Sequence, residues 1–173
     1  MIERYGWAVT AVVPTSEPAD TEDTHTEDTS TDDTETGTTA GGDPQPFAYT
    51  VGLTAYGYPE LVIAGLPVAV AHALLNEMAG RVVTRAEPFA AGDQITDLLD
   101  GYAVVIVEGP ATDQLHPGAA VGRYGPEAVQ LQQIVWPDRD GRFPWDEGYL
   151  HPPQTQPLLG PPPQPPRPSS AAG

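Results

Sequence analysis

The chain contains no cysteine and no lysine, and its seven basic residues are all arginine. Lacking cysteine, it has no disulfide framework, no thiol nucleophile and no thiolate zinc site. Lacking lysine, it has neither a Walker-type phosphate loop nor a Schiff-base amine. Serine is scarce too: Ser16, Ser30, Ser169 and Ser170 all fall in segments with no folding signal. A serine nucleophile must be held rigidly beside its base, so serine hydrolase chemistry is excluded. Against 24 acidic residues the seven arginines leave a net charge of -17, the wrong sign for a nucleic-acid binder. No apolar run approaches the roughly 20 residues of a membrane span, so no membrane partner is expected. Residues 1–14 (MIERYGWAVTAVVP) show no basic region leading into an apolar core. No signal peptide is read there, and a cytoplasmic location is expected.

Much of the acidity is local. Residues 15–43 hold ten of the 24 acids and no arginine. Within them Thr21-Glu22-Asp23-Thr24, Thr26-Glu27-Asp28-Thr29 and Thr31-Asp32-Asp33-Thr34 recur at a spacing of five. With no large apolar residue the stretch cannot offset its ordering entropy, and it reads as a solvated spacer between two strands. A weak calcium-binding or phosphorylatable tract is the functional alternative. A second biased segment, 152–173, carries nine of the 21 prolines and reads as a flexible polyproline-like tail. Pro162-Pro163-Gln164-Pro165-Pro166-Arg167 fits the PxxPxR form that SH3 grooves accept, a pattern common by chance in such tails. Gln156-Pro157-Leu158-Leu159 is more apolar and is expected to dock back. What remains of 1–151 outside the acidic insert is about 120 residues, an ordinary size for one domain.

The core alternates in the manner of a sheet. Tyr5 to Val13 reads as a strand; Phe47 to Leu53 puts Phe47, Tyr49, Val51 and Leu53 on one face and the small Ala48, Thr50 and Gly52 on the other. That small face suggests close approach of a backbone or ligand. A turn over 54–59 leads into a strand at Glu60 to Ala64, making a hairpin. Pro67 and Gly80 bracket a helix whose stripe is Val68, Ala71, Leu75 and Met78, widened by Val70 and Leu74. Arg81 to Thr84 reads as a short strand, Tyr102 to Glu108 as a central one, His116 to Tyr124 as a possible short helix, and Ala128 to Trp136 as a last strand. The expectation is an α+β fold: a mostly antiparallel sheet of five or six strands with one main helix.

Candidate site residues are few. His25 lies in the acidic stretch, His72 on the helix beside Asn76, His116 before Pro117 after the central strand, and His151 at the tail boundary. His116 is the one placed where loops carry function, although a structural hydrogen bond is the blander reading. No HxxH or HExxH pair is present, so no metal site is read. Asp138-Arg139-Asp140-Gly141 opens like a calcium loop but lacks the remaining ligand spacing, and a tight turn suits it better. The segment 136–149 concentrates Trp136, Phe143, Trp145 and Tyr149 among turn formers. It is either a cap on the core or an aromatic-lined site, with Gln130, Gln132 and Asp138 as polar contacts.

Five blocks occur in a familiar order: Phe47-Ala48-Tyr49-Thr50-Val51-Gly52-Leu53, Gly57-Tyr58-Pro59-Glu60-Leu61, Leu131-Gln132-Gln133-Ile134-Val135-Trp136-Pro137-Asp138, Phe143-Pro144-Trp145 and Gln156-Pro157-Leu158-Leu159. On these the chain resembles the bacterial domain of unknown function family 4262, frequent in actinobacteria. The long acidic insert departs from the shorter connection expected there. The resemblance implies a soluble, cytoplasmic bacterial protein and carries over no catalytic residue. The arginine-only basic set and the abundance of Ala, Gly and Pro suit a GC-rich genome.

Three functional readings follow. As a ligand-binding protein or enzyme, Thr50, Glu60, His116, Gln132, Trp136 and Asp138 converge on one cavity, with Trp145 as a further contact. A split-barrel flavin-binding protein is one version, with Arg81, Arg85 and Arg123 serving the phosphate. As an interaction module, Trp136, Phe143, Trp145 and Tyr149 form an exposed apolar patch for a protein partner. The leading expectation is binding of a small molecule or protein partner through an aromatic and polar site near 130–149, with the cofactor unspecified.

Overall fold

The computed structural model describes residues 6–13 and 45–163. Six strands form one sheet: β1 (Ala8–Val12), β2 (Phe47–Val51), β3 (Glu60–Ala64), β4 (Gln94–Leu99), β5 (Tyr102–Glu108) and β6 (Leu131–Val135). The spatial order is β1-β2-β3-β6-β5-β4. Every neighbouring pair is antiparallel except β3 and β6, which run parallel with Glu60 opposite Leu131. Two helices complete an α+β fold, α1 (Val68–Thr84) and the short α2 (Gly118–Tyr124). The acidic repeat, His25 and all four serines lie outside the described residues, as does most of the PxxPxR sequence.

The alternation of β2 sorts its side chains between two cores. Ala48 joins Leu61, Ile63, Ile106, Ile134 and Trp136 beneath α1, which contributes Ala71, Leu74, Leu75, Met78, Ala79 and Val82. Tyr49 and Val51 join Val62, Ala64 and Leu131 on the opposite face, closed by Ala120 of α2, Leu115 and Leu159. Leu75 and Met78 are wholly buried, each worth about 1.5–3 kcal/mol of transfer free energy. Among the described residues no helix is long and apolar enough to cross a membrane.

Three features differ from the sequence expectation. Helix α1 does not stop at Gly80; it continues through Arg81 to Thr84, the stretch expected to be a strand. Val82 lies eleven residues after Ala71 and seven after Leu75, on the same buried stripe, so packing carries the helix past a residue of low propensity. Val68 and Val70 are exposed rather than part of that stripe, whose buried positions begin at Ala71. Strand β4 was not expected: of its residues only Ile95 is fully buried, as befits an edge strand, and the apolar alternation is too thin to see. The turn expected over 54–59 is present and joins β2 to β3 as an antiparallel hairpin; it opens with a 3-10 turn (Leu53–Tyr56) that closes on Gly57.

The small face of β2 has a physical role. At Gly52, φ is +135° and a Cβ would sit 2.5 Å from the Gly6 carbonyl oxygen and 2.7 Å from Trp7 Cα. Only glycine lets the chain before β1 pass so close. The tail also joins the fold beyond residue 151: Gln156 and Leu159 are buried, so the packed core extends to Leu159.

Candidate functional site

Glu60 is fully buried at the start of β3, yet its carboxylate is saturated with donors. Oε2 accepts from Thr50 Oγ1 (2.7 Å) and the Leu53 amide (3.3 Å). Oε1 accepts from the Gly52 and Thr54 amides (2.9 and 3.0 Å) and from Thr54 Oγ1 (2.8 Å). Thr50 Oγ1 in turn accepts from the Leu61 amide (2.9 Å). The TVGL and PEL blocks thus meet in one clasp: a buried charge holds the 3-10 turn because that turn supplies the orphan amides it needs. No lone pair is left for a substrate, and Thr50 and Glu60 are structural here.

Neighbouring residues of β6 work on opposite faces. Gln132 Nε2 donates to the Phe89 carbonyl (2.7 Å) and to Glu108 Oε1 (2.6 Å), linking the loop after α1 to the end of β5. Gln133, fully buried, donates from Nε2 to the Pro157 carbonyl (2.8 Å) and accepts from the Leu159 amide (2.9 Å), tying down the tail.

Beyond β6 the chain folds into an arm over residues 136–151. The Trp136 indole donates to the Ala64 carbonyl (2.8 Å), fixing the arm to the end of β3. Asp138, 2% exposed, accepts from the Asp140 and Arg142 amides on Oδ1 (2.8 and 2.9 Å) and from the Leu150 amide on Oδ2 (2.9 Å). Burial pushes its pKa up, but those three amides and the Arg142 charge outweigh it and hold the carboxyl below the usual aspartate range. The Gly141 amide donates to the Asp138 carbonyl (3.0 Å), closing a tight turn rather than a calcium loop. The His151 ring meets Trp136 and Tyr149 edge-on, at centroid distances of 5.4 and 5.5 Å. Phe143 and Trp145 stack at 5.0 Å with 9° between their planes. For the Tyr149 phenol, burial and the Asp138 charge outweigh the Gln156 hydrogen bond and push its pKa up.

The expected residues are therefore split between the two ends of the sheet. Thr50, Glu60, Gln130 and Gln132 sit at the ends where β3 and β6 begin; Trp136, Asp138 and Trp145 sit beyond the far end of β6, on the order of 15 Å away. His116 is exposed in the loop before α2, its carbonyl accepting from the Gly118 amide (3.0 Å). Of these residues only Gln130 lines either of the two concavities described below. The apolar-patch version changes as well: Trp136 is 8% exposed, and Phe143, Trp145 and Tyr149 are half-buried. For the split-barrel version, β1 and β4 are open edges, and Arg81 lies in α1 and Arg85 just after it, while Arg123 belongs to α2 on the other face. Arg81 is moreover engaged by Glu77 (3.1 Å) and Asp97 (2.7 Å). Those arginines form no phosphate cluster. Among the described residues no three acidic or histidine side chains converge as metal ligands.

Two concavities flank this framework. A cleft of about 390 Å³ opens between the end of β5 and the entries to β3 and β6, lined by Pro59, Glu108, Pro110, Val129, Gln130 and Leu131 among others. At the far end a pocket of about 360 Å³ is lined by Arg139, Leu150 and His151. Reading the sequence passed over Arg139, Leu150, Glu108 and Gln133 and set His151 aside at the tail boundary. Gln133 carried a usable signal, being a lone amide on the apolar alternation of Leu131 and Val135. Leu150 and His151 carried none, because their neighbours come from folding of the arm.

A family model described as a domain of unknown function, DUF4262, matches residues 1–150. No curated protein and no solved structure matches the chain.

Proposed function

The chain belongs to the DUF4262 family, and we propose that it is a binding domain whose ligand, a small organic anion with an apolar or aromatic body, seats against the 136–151 arm in the pocket of Arg139, Leu150 and His151. The observation that carries this reading is the way Asp138 ties the pocket together. Its side chain bonds the Leu150 amide on one side, and its own main chain leads directly into Arg139 on the other. The Tyr102 hydroxyl adds a bond to the Arg139 carbonyl (3.1 Å), bracing the same wall from β5. A loop so braced is preorganised, which lowers the ordering cost of binding.

The lining chemistry suggests the ligand class. The Arg139 guanidinium has no ion pair among the described residues and suits a carboxylate, which it can bind through two parallel N–H donors. Leu150 is 45% exposed and offers an apolar wall, while Trp136 and Tyr149 hold the His151 ring in place. Trp136 and Asp138 are positioning residues in this reading, and Trp145 belongs to the outer part of the arm.

Titration of the full chain with phenylacetate, followed by amide chemical shifts, tests the proposal. Saturable shifts at Arg139, Leu150 and His151, weakened at least tenfold in Arg139→Gln, support it. Shifts that are absent, unsaturable or unchanged in Arg139→Gln reject it, as does equal binding of phenethylammonium.

A further inference from the structure

The cleft at the opposite end of the sheet carries charge of the other sign. Its walls set apolar side chains, Pro59 before β3, Pro110 and Ala111 after β5, and Val129 and Leu131 at the entry to β6, beside a larger share of polar surface. The polar side chains on its lining are Glu108 and Gln130, both exposed to solvent. The Glu108 carboxylate is positioned rather than neutralised. Gln132, 3% exposed, holds Oε1 at 2.6 Å, and the same amide nitrogen is fixed by the Phe89 carbonyl at 2.7 Å. Both N–H groups of the amide are thereby spent, and the second oxygen of Glu108 has no partner among the described residues. Among the described residues no arginine pairs with Glu108: the ion pairs join Arg81 to Glu77 and Asp97, and Arg142 to Asp140.

The rear of the cleft is rigid. A Cβ at Gly109 would collide with the Leu159 carbonyl, and one at Gly160 with the Glu108 carbonyl. The tail crosses the end of β5 at backbone contact, and Gln133 fastens that crossing from β6.

From this arrangement we infer that the cleft is a second binding site, independent of the arm, for a small organic cation: a primary ammonium on a short aliphatic chain. A neutral amide holds the carboxylate still while leaving its charge and one oxygen for an ammonium donor, a charge-assisted pair, with the apolar side chains of the cleft beside it for the aliphatic chain. The volume of about 390 Å³ exceeds that of a four- or five-carbon amine, and Gln130 lines the same cleft as a further hydrogen-bonding side chain.

The test uses n-pentylammonium chloride on the full chain, with pentan-1-ol and sodium pentanoate at matched ionic strength as controls. Saturable amide shifts at Glu108, Ala111, Gln130 and Leu131 are expected with the amine alone. Glu108→Gln keeps an oxygen for Gln132 and removes the charge; it is expected to retain the native amide spectrum and to weaken amine binding at least tenfold. Equal binding by the alcohol, unsaturable shifts, or undiminished affinity in a folded Glu108→Gln each overturn the proposal. Arg139→Gln, which tests the arm, is expected to leave amine binding unchanged, so the two sites stand or fall separately.

Discussion

The Gln156 side chain pairs with both main-chain groups of Trp136: Oε1 accepts from its amide at 3.0 Å, and Nε2 donates to its carbonyl at 2.7 Å. A side-chain amide has the donor and acceptor spacing of a peptide group, so Gln156 stands in for the next strand where β6 loses its neighbours. Twenty residues separate the two in sequence, and the pairing joins the tail, the sheet and the arm at one point.

Gln156→Ala leaves a buried amide and a buried carbonyl of Trp136 unpaired. At about 1–3 kcal/mol for each of the two stranded groups, the loss of stability is about 2–6 kcal/mol, read by urea denaturation. A cost below about 0.5 kcal/mol would show that the tail does not dock in solution.

Glu60→Gln presents an NH2 group to amides that themselves donate, so at least one hydrogen bond is replaced by a clash of donors. A loss of about 2–4 kcal/mol is expected, against about 1–2 kcal/mol for Thr50→Val, which removes one hydroxyl. The order of the two variants is the diagnostic, since a clasp organised by the threonine alone would reverse it.

Asp138 has a depressed folded pKa, so its stabilisation is fully present above the unfolded value of about 3.9 and is lost as pH falls through the lower folded value. Asp138→Asn is therefore expected to be less stable than the parent at pH 7, with the difference shrinking below about pH 4. Melting curves of both proteins from pH 7 to pH 2.5 check this; a difference that grows toward acid contradicts the assignment.

Two glycines make a contrasting pair. At Gly80, inside α1, a Cβ would meet no atom within 4 Å, so Gly80→Ala is expected to stabilise by about 0.4–1 kcal/mol. At Gly52, where φ is +135° and the Gly6 carbonyl is already close, Gly52→Ala is expected to destabilise by more than about 1 kcal/mol. Thermal unfolding of both reads the sign directly, and stabilisation by Gly52→Ala would contradict the tight packing of β1 on the turn.

Legibility followed the physics of each element. Strands β2 and β6 announce themselves by alternation and β1, β3 and β5 by short β-branched apolar runs, because a strand buried on one face repeats at a period of two and one buried on both faces does not. Edge strand β4, Gln94–Leu99, has solvent on much of its surface and needs no such pattern. The candidate site was less legible. Thr50 and Glu60 could be named, but their number of hydrogen bonds depends on where the turn puts its amides. Trp136 and Asp138 likewise read as contacts, and folding makes them the frame behind Arg139, Leu150 and His151.

Taken alone, the sequence determined what this protein lacks and how its apolar residues divide: no thiol or lysine chemistry, an acidic Thr-rich insert, a proline-rich end, and an α+β core. These follow from composition and short-range periodicity, which act residue by residue. The tertiary structure alone decided that Glu60, Gln133, Asp138 and Gln156 are fasteners. It also separated Glu108 at one end of the sheet from Arg139 and His151 at the other. Those outcomes depend on contacts between residues distant in the chain, and a buried polar group takes its role from whichever donors and acceptors folding brings to it.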